Sequence, residues 1–238
     1  MRRATAGAAT VGWRSWVALW VLGILGASAG LVGWAGEPAG QAGLPKPLPP
    51  EVVAAWEKAG ATVRWLRFKA GGALVFVTGE PAKAGDLPAF RFDRWTDVQG
   101  AKLPDPAVPF GLDLFAVQVT DEGLKALAGL KSLQVLILSD TPVTDEGLKQ
   151  LAGLTNLQSL WLGNTSVTDE GLKELAGLKS LQSLFLYNTG VNGTGLKALA
   201  GSKSLQLLNL GGSPVTDAGL KALAGSKSLQ LLNLGSTG

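Results

Sequence analysis

The sequence predicts an α/β solenoid of alternating strands and helices, closed at its N-terminal end by a cap of one helix and one hairpin. Three observations predict it. One 24-residue unit recurs five times, with anchor valines at Val119, Val143, Val167, Val191 and Val215. A fixed period in the twenties is the mark of stacked supersecondary units. Inside each unit a Leu-x-Leu alternation is followed by leucines three apart, so a strand precedes a helix. Ahead of the repeats the pattern changes to one helical stretch and two alternating runs separated by Gly71-Gly72, which reads as a helix and a hairpin.

In chain order, residues 1–36 come first. Ser15 to Gly36 is an uncharged run of 22 residues behind Arg2, Arg3 and Arg14. As a helix it would span about 33 Å, enough for a bilayer. Two readings stand. Either Trp16 to Leu25 is the apolar region of a signal peptide with Ala27-Ser28-Ala29 as its cleavage site, or the whole run is a transmembrane anchor with Trp13 and Trp34 at its interfaces. Both keep the arginines inside and put everything after Gly36 in an extracytoplasmic location: secreted, periplasmic or cell surface. Residues 37–50 form a Pro/Gly linker too poor in large apolar groups to fold.

Residues 51–94 make the capping module. Pro50 to Ala59 reads as a short helix with Val52, Val53 and Trp56 on one face, Ala61 to Phe68 as a strand, and Ala73 to Thr78 as a second strand. The first unit of a solenoid has no neighbour to cover its core, so an atypical unit is expected there. Residues 95–238 hold the repeats: two degenerate units, then five regular ones. Phe90-Arg91-Phe92 and Leu112-Asp113-Leu114 add two strands to the regular five, giving about seven parallel strands in all.

In the unit that runs from Val143, the strand Gln158 to Leu162 sends Leu160 and Leu162 into the core and Ser159, Trp161 and Gly163 the other way, since side chains alternate. A turn follows, with Thr141, Thr165, Thr189, Ser213 and Thr237 at its centre in successive units; a hydroxyl there suits backbone groups that a tight turn leaves unpaired. Thr168-Asp169-Glu170 opens the next helix, where Thr or Asp caps free N–H groups and acids suit the positive end of the dipole. Gly177 is expected to end it in the left-handed conformation, followed by the apolar contact Leu178. A single unit buries too little to offset the entropy of ordering it, so neighbours must supply the rest.

Leu157-Gln-Ser-Leu160-Trp-Leu162-Gly-Asn-Thr165-Ser-Val167 resembles a leucine-rich repeat, with Thr where Asn or Cys is usual. The Thr-Asp-x-Gly-Leu helix starts resemble those of bacterial leucine-rich repeat proteins in the ribonuclease-inhibitor-like class. The resemblance covers residues 95–238 and implies a curved solenoid with parallel strands on the inner face, helices on the outer face, protein binding as the common use, and no catalytic residues. Asn192-Gly193-Thr194-Gly195 departs from the pattern.

Composition narrows the function classes. The chain has no cysteine and no histidine, which removes disulfides, thiolate nucleophiles, Cys/His zinc sites and every Ser–His arrangement. Arg2, Arg3 and Arg14 account for the whole excess of 21 basic over 18 acidic residues. The body is formally neutral and lacks the basic stripe that nucleic acid requires. The recurring Asp121/Glu122, Asp145/Glu146 and Asp169/Glu170 pairs read as helix caps rather than calcium ligands or acid–base pairs, because they recur without companion ligands. No cofactor and no metal is expected.

The inner face carries the candidate site. Its central column reads Asp113, Ile137, Trp161, Phe185, Asn209, Asn233, and the next reads Phe115, Ser139, Gly163, Tyr187, Gly211, Gly235. Ile137, Trp161, Phe185, Tyr187, Asn209, Asp113 and Phe115 are the candidate ligand-binding residues. Exposed aromatics on a strand face are what binding surfaces look like, although the same rings would also shield a sheet face with little else to cover it. The last strand, Gln230 to Leu234, has no polar cap after it, which is expected either of end-to-end self-association through its edge or of a truncated gene product. The expected function is an exported, non-enzymatic scaffold that binds a protein or surface polymer. The alternative is a passive envelope spacer with no specific ligand.

Overall fold

The computed structural model describes residues 43–68, 74–78, 81–96 and 103–237. The leader at 1–36, the turn at Gly71-Gly72 and the terminal Gly238 lie outside the described residues. Among those described, no helix is long and apolar enough to cross a membrane.

Helix α1 (Pro50–Lys58) starts on proline, whose missing N–H costs nothing at a first turn. It is followed by β1 (Ala61–Phe68), β2 (Leu74–Val77) and β3 (Leu87–Phe92). β4 (Phe110–Asp113), β5 (Leu133–Ile137), β6 (Ser159–Trp161), β7 (Ser183–Phe185), β8 (Leu207–Asn209) and β9 (Leu231–Asn233) come next, each separated by a helical segment on the opposite side of the core. All nine strands form one open sheet in the order β2-β1-β3-β4-β5-β6-β7-β8-β9. β1 is antiparallel to β2 and β3, and every pairing from β3 onward is parallel. Leu136, Leu160, Leu184 and Leu208 face the core without measurable exposure. The result is a curved solenoid.

α1 closes the N-terminal end of the core. Trp56 is fully buried, stacks on Phe90 at 4.0 Å and meets Phe110 edge-on at 5.7 Å. Its indole N–H donates to Pro104 O at 2.9 Å, so the one polar atom of the ring is satisfied where the rest is dry.

The outer segments are shorter and tighter than a full α-helix. α2 (Asp145–Leu151) is the longest. α3 (Asp169–Leu172) passes into a 3-10 turn over Lys173–Gly177, and α4 (Asp217–Leu220) into one over Lys221–Leu223. Gly123–Leu127 and Thr194–Ala198 are 3-10 throughout. Gly177 is not left-handed. The turn closes instead by Leu178 N donating to Leu175 O at 3.0 Å and Lys179 N donating to Gly177 O at 2.9 Å, bonds of the short-range kind that make a left-handed cap unnecessary.

The motif aspartates are not the caps of their own helices. Thr144 Oγ accepts from Glu146 N, and Thr168 Oγ from Glu170 N, so threonine is the cap. Each aspartate reaches forward to the next repeat. Asp121 receives Thr144 N at 2.9 Å and Thr144 Oγ at 2.6 Å; Asp145 receives Thr168 N at 2.8 Å and Thr168 Oγ at 2.6 Å. The motif glycine makes room for this staple. A Cβ at Gly147 would collide with Asp121 Oδ1, and one at Gly171 with Asp145 Oδ1. The staple changes where Asn192-Gly193 interrupts the motif: Asp169 takes only backbone donors, from Asn192, Gly193 and Gly195.

Candidate functional site

Strand register sets the inner face in columns. Asp113 pairs with Ile137, Ile137 with Trp161, Trp161 with Phe185, Phe185 with Asn209 and Asn209 with Asn233. This is the column the alternation predicts. The next column continues by ladder bonds past the strand ends: Asn164 N donates to Tyr187 O at 2.9 Å, and Asp140 N to Gly163 O at 2.9 Å. A third column, Gly111, Val135, Ser159, Ser183 and Leu207, lies on the other side of the central one.

The hairpin covers part of this face. Leu66 and Leu74 form a buried apolar cluster with Ala89, Val135 and Ile137, and Phe68, Phe76, Phe115 and Trp161 pack against it. Leu66 sits over Gly111, where a Cβ would strike its Cδ1. The sheet therefore rolls over at its N-terminal edge and lays the hairpin on the first repeats. Beside it, a cleft of about 780 Å³ opens between the 83–88 loop and the starts of β5 and β6, with Phe68 and Val135 among its walls. Arg67 and Asp86 line it and hold each other in a two-pronged ion pair, both contacts at 2.8 Å.

This covering divides the seven candidate residues. Asp113 has no exposed surface; it pairs with Arg91 Nη1 and accepts Phe115 N at 2.9 Å. Burial pushes its carboxyl above the ordinary value, opposed by the Phe115 N–H and the Arg91 charge. Ile137 is 5% exposed and lies in the hairpin cluster. Phe115 is half-buried against the same cluster. Asp113 and Ile137 thus lie on the predicted face but beneath its cover, and Phe115, like Trp161, sits at the margin of that cover. Trp161, Phe185, Tyr187 and Asn209 remain half-exposed. Trp161 and Phe185 stack with centroids 3.8 Å apart and planes 21° from parallel, and the Trp161 N–H donates to Ser159 Oγ at 3.0 Å.

Tyr187 leans back across one strand. A Cβ on Gly163 would fall inside its ring, so the phenol lies directly over that glycine and reaches toward Ser139 and Asp140. Burial raises the Tyr187 pKa; the Ser139 hydroxyl opposes the rise and the Asp140 carboxylate adds to it. Burial likewise raises Asp140, opposed by an amide bond from Asn164. That bond ends a ladder: Asn188 Nδ2 donates to Asn164 Oδ1, and Asn164 Nδ2 to Asp140 Oδ1, both at 3.0 Å. Asp140 Oδ2 and Ser139 Oγ are buried and make no hydrogen bond of ordinary geometry, with Tyr187 or any other described residue.

Sequence reasoning did not single out Ser139 and Asp140 as a pair. The signal was present in the column Ala116, Asp140, Asn164, Asn188, Gly212, Ser236, all of which have positive φ. Asn, Asp and Gly at a fixed period mark a left-handed position. The side chains at that position then stack on one another from repeat to repeat.

Parallel strands one repeat apart, a leucine core and helical segments on the opposite side define a repeat solenoid. Residues 131–174 match a family model of leucine-rich repeats in two copies, and residues 201–224 match a leucine-rich repeat model. Those two stretches of the chain are thus similar to leucine-rich repeats. No curated protein matches it. Among solved structures it is similar to an internalin (inlF) from Listeria monocytogenes str. 4b F2365, at 26% identity over 51% of this chain and 34% of that one, with a TM-score of 0.46. It is also similar to an internalin C2 (inlC2) from the same strain, at 25% identity over 61% of this chain and 80% of that one, with a TM-score of 0.43. The chain thus spans about a third of the first internalin's length, by the 34% figure.

Proposed function

We propose that the chain is an exported, non-enzymatic scaffold that holds a protein or a surface polymer on its inner face. One observation carries the reading. The Trp161–Phe185 stack stands half-exposed, with Tyr187 beside it, on the stretch of face next to the hairpin cluster. Half-buried aromatics that are rigidly placed supply large contact area at small entropic cost, which is why they dominate binding surfaces. Export rests on the uncharged run at Ser15 to Gly36 behind three arginines, with membrane attachment if that run is retained.

The decisive experiment is capture from native envelope extracts by wild type, Trp161→Ala and Phe185→Ala, with cross-linking and mass spectrometry. A partner captured by wild type and lost in both variants supports the scaffold. Equal recovery by all three favours the passive spacer.

A further inference from the structure

We propose that Asp140, Ser139 and Tyr187 form a receptor for the guanidinium of an arginine side chain on the bound partner. The inference rests on the inner-face reading and names the chemistry of one contact within it.

Four observations converge. Asp140 Oδ1 is satisfied by the asparagine ladder, while its second oxygen is buried and unpaired. Ser139, next to it in the chain and 1% exposed, has a hydroxyl that makes no hydrogen bond of ordinary geometry. The Tyr187 ring covers Gly163, whose carbonyl accepts the Asp140 N–H at 2.9 Å, so the phenol stands beside this pair of residues. No ion pair joins Asp140 to a cation among the described residues, whereas Asp86 and Asp113 are paired with Arg67 and Arg91. A buried carboxylate oxygen left unpaired is costly. A ligand that brings several N–H donors and a positive charge relieves that cost, and the guanidinium does so in one planar group beside aromatic rings that also favour it. An anion would meet Asp140 at close range, and an apolar side chain would leave both orphan oxygens unserved.

The chain contains one tyrosine, so its absorbance near 295 nm reports this site alone. The probe is N-acetyl-arginine-methylamide at millimolar concentration, with the citrulline analogue plus matched salt as its uncharged twin. Arginine keeps its charge throughout a phenol titration. Circular dichroism along the titration confirms that the chain stays folded. We expect the arginine probe to lower the Tyr187 midpoint saturably and the citrulline twin to leave it unchanged. In Asp140→Asn the resting midpoint falls and the probe shifts it no further; Ser139→Ala, a second variant that keeps the charge, shows a weaker probe response. No saturable shift in wild type, an equal shift with citrulline, or a full shift in Asp140→Asn overturns the proposal. Partner capture that survives Asp140→Asn but not Trp161→Ala also overturns it and leaves the scaffold standing. If the chain captures nothing while the arginine shift is present, the scaffold reading fails and this site does not.

Discussion

Tyr187 lies flat on Gly163 of the preceding repeat, in the space that any side chain at 163 would fill. Burial is the first cause of the raised Tyr187 pKa, so the glycine and the titration are linked. Gly163→Ala lifts the ring into water. The Tyr187 midpoint should fall toward the ordinary phenol value of about 10, while the melting temperature changes little, since the leucine core is untouched. An unchanged phenol titration in Gly163→Ala would show that the ring does not depend on that seat.

Removing one ring of the Trp161–Phe185 stack should cost about 0.5–1.5 kcal/mol beyond the buried area. Phe185→Ala is the cleaner variant, because Trp161 also packs against the hairpin cluster. We expect Phe185→Ala to lose partner capture with only a small drop in thermal stability. A large drop would assign the ring to the core instead.

The motif glycines test the inter-repeat staple. Gly147→Ala and Gly171→Ala place a methyl against an aspartate carboxylate, and overpacking of this kind costs about 1–3 kcal/mol. Gly129→Ala and Gly201→Ala meet nothing within 4 Å and serve as controls. Urea unfolding should separate the two pairs; equal midpoints would mean that the staple adjusts freely.

Acid should weaken the anchor of the 83–88 loop. The Arg67 guanidinium holds the Asp86 carboxyl below its ordinary value, joined by the Lys83 N–H and opposed by burial. A carboxyl lowered by folding stabilises the protein above its unfolded pKa, about 3.9, and loses that contribution as pH falls through the lower folded value. The stability gap between wild type and Asp86→Asn should therefore be full at neutral pH and close below about pH 4. Asp113, raised by burial, runs the other way, since its protonation favours the folded chain. A gap independent of pH would place the anchoring in packing rather than charge.

Much of the fold is legible in the chain. The alternation around Leu160 and Trp161 assigns core and surface correctly, and the boundaries of β1 follow from its apolar residues and the glycine before it. What escaped has a common cause. β1 is apolar on both faces: Val63 and Trp65 on one, Leu66 and Phe68 on the other. Alternation alone cannot say that the second face folds back onto Val135 and Ile137. The acids of Thr-Asp-x-Gly-Leu look like helix caps because their forward partners lie 23 residues away. Within the site, Trp161 and Phe185 are plain from the sequence as aromatic rings at outward strand positions, and Tyr187 as a large residue in a column of Ser and Gly. The Ser139–Asp140 pair becomes visible only when the left-handed column is stacked.

The interruption at Asn192-Gly193 leaves a seam. Gly193 has no carboxylate to offer Thr216, which bonds instead to the Asn192 backbone oxygen, at 3.0 Å from its N–H and 3.4 Å from its hydroxyl. In an array held by nearest-neighbour contacts, a weak junction sets where the stack comes apart. Amide exchange in β8 and β9 should outpace that in β5 and β6, so a captor seated on Trp161 and Phe185 rests on the steadier half of the molecule; uniform exchange rates would remove that asymmetry.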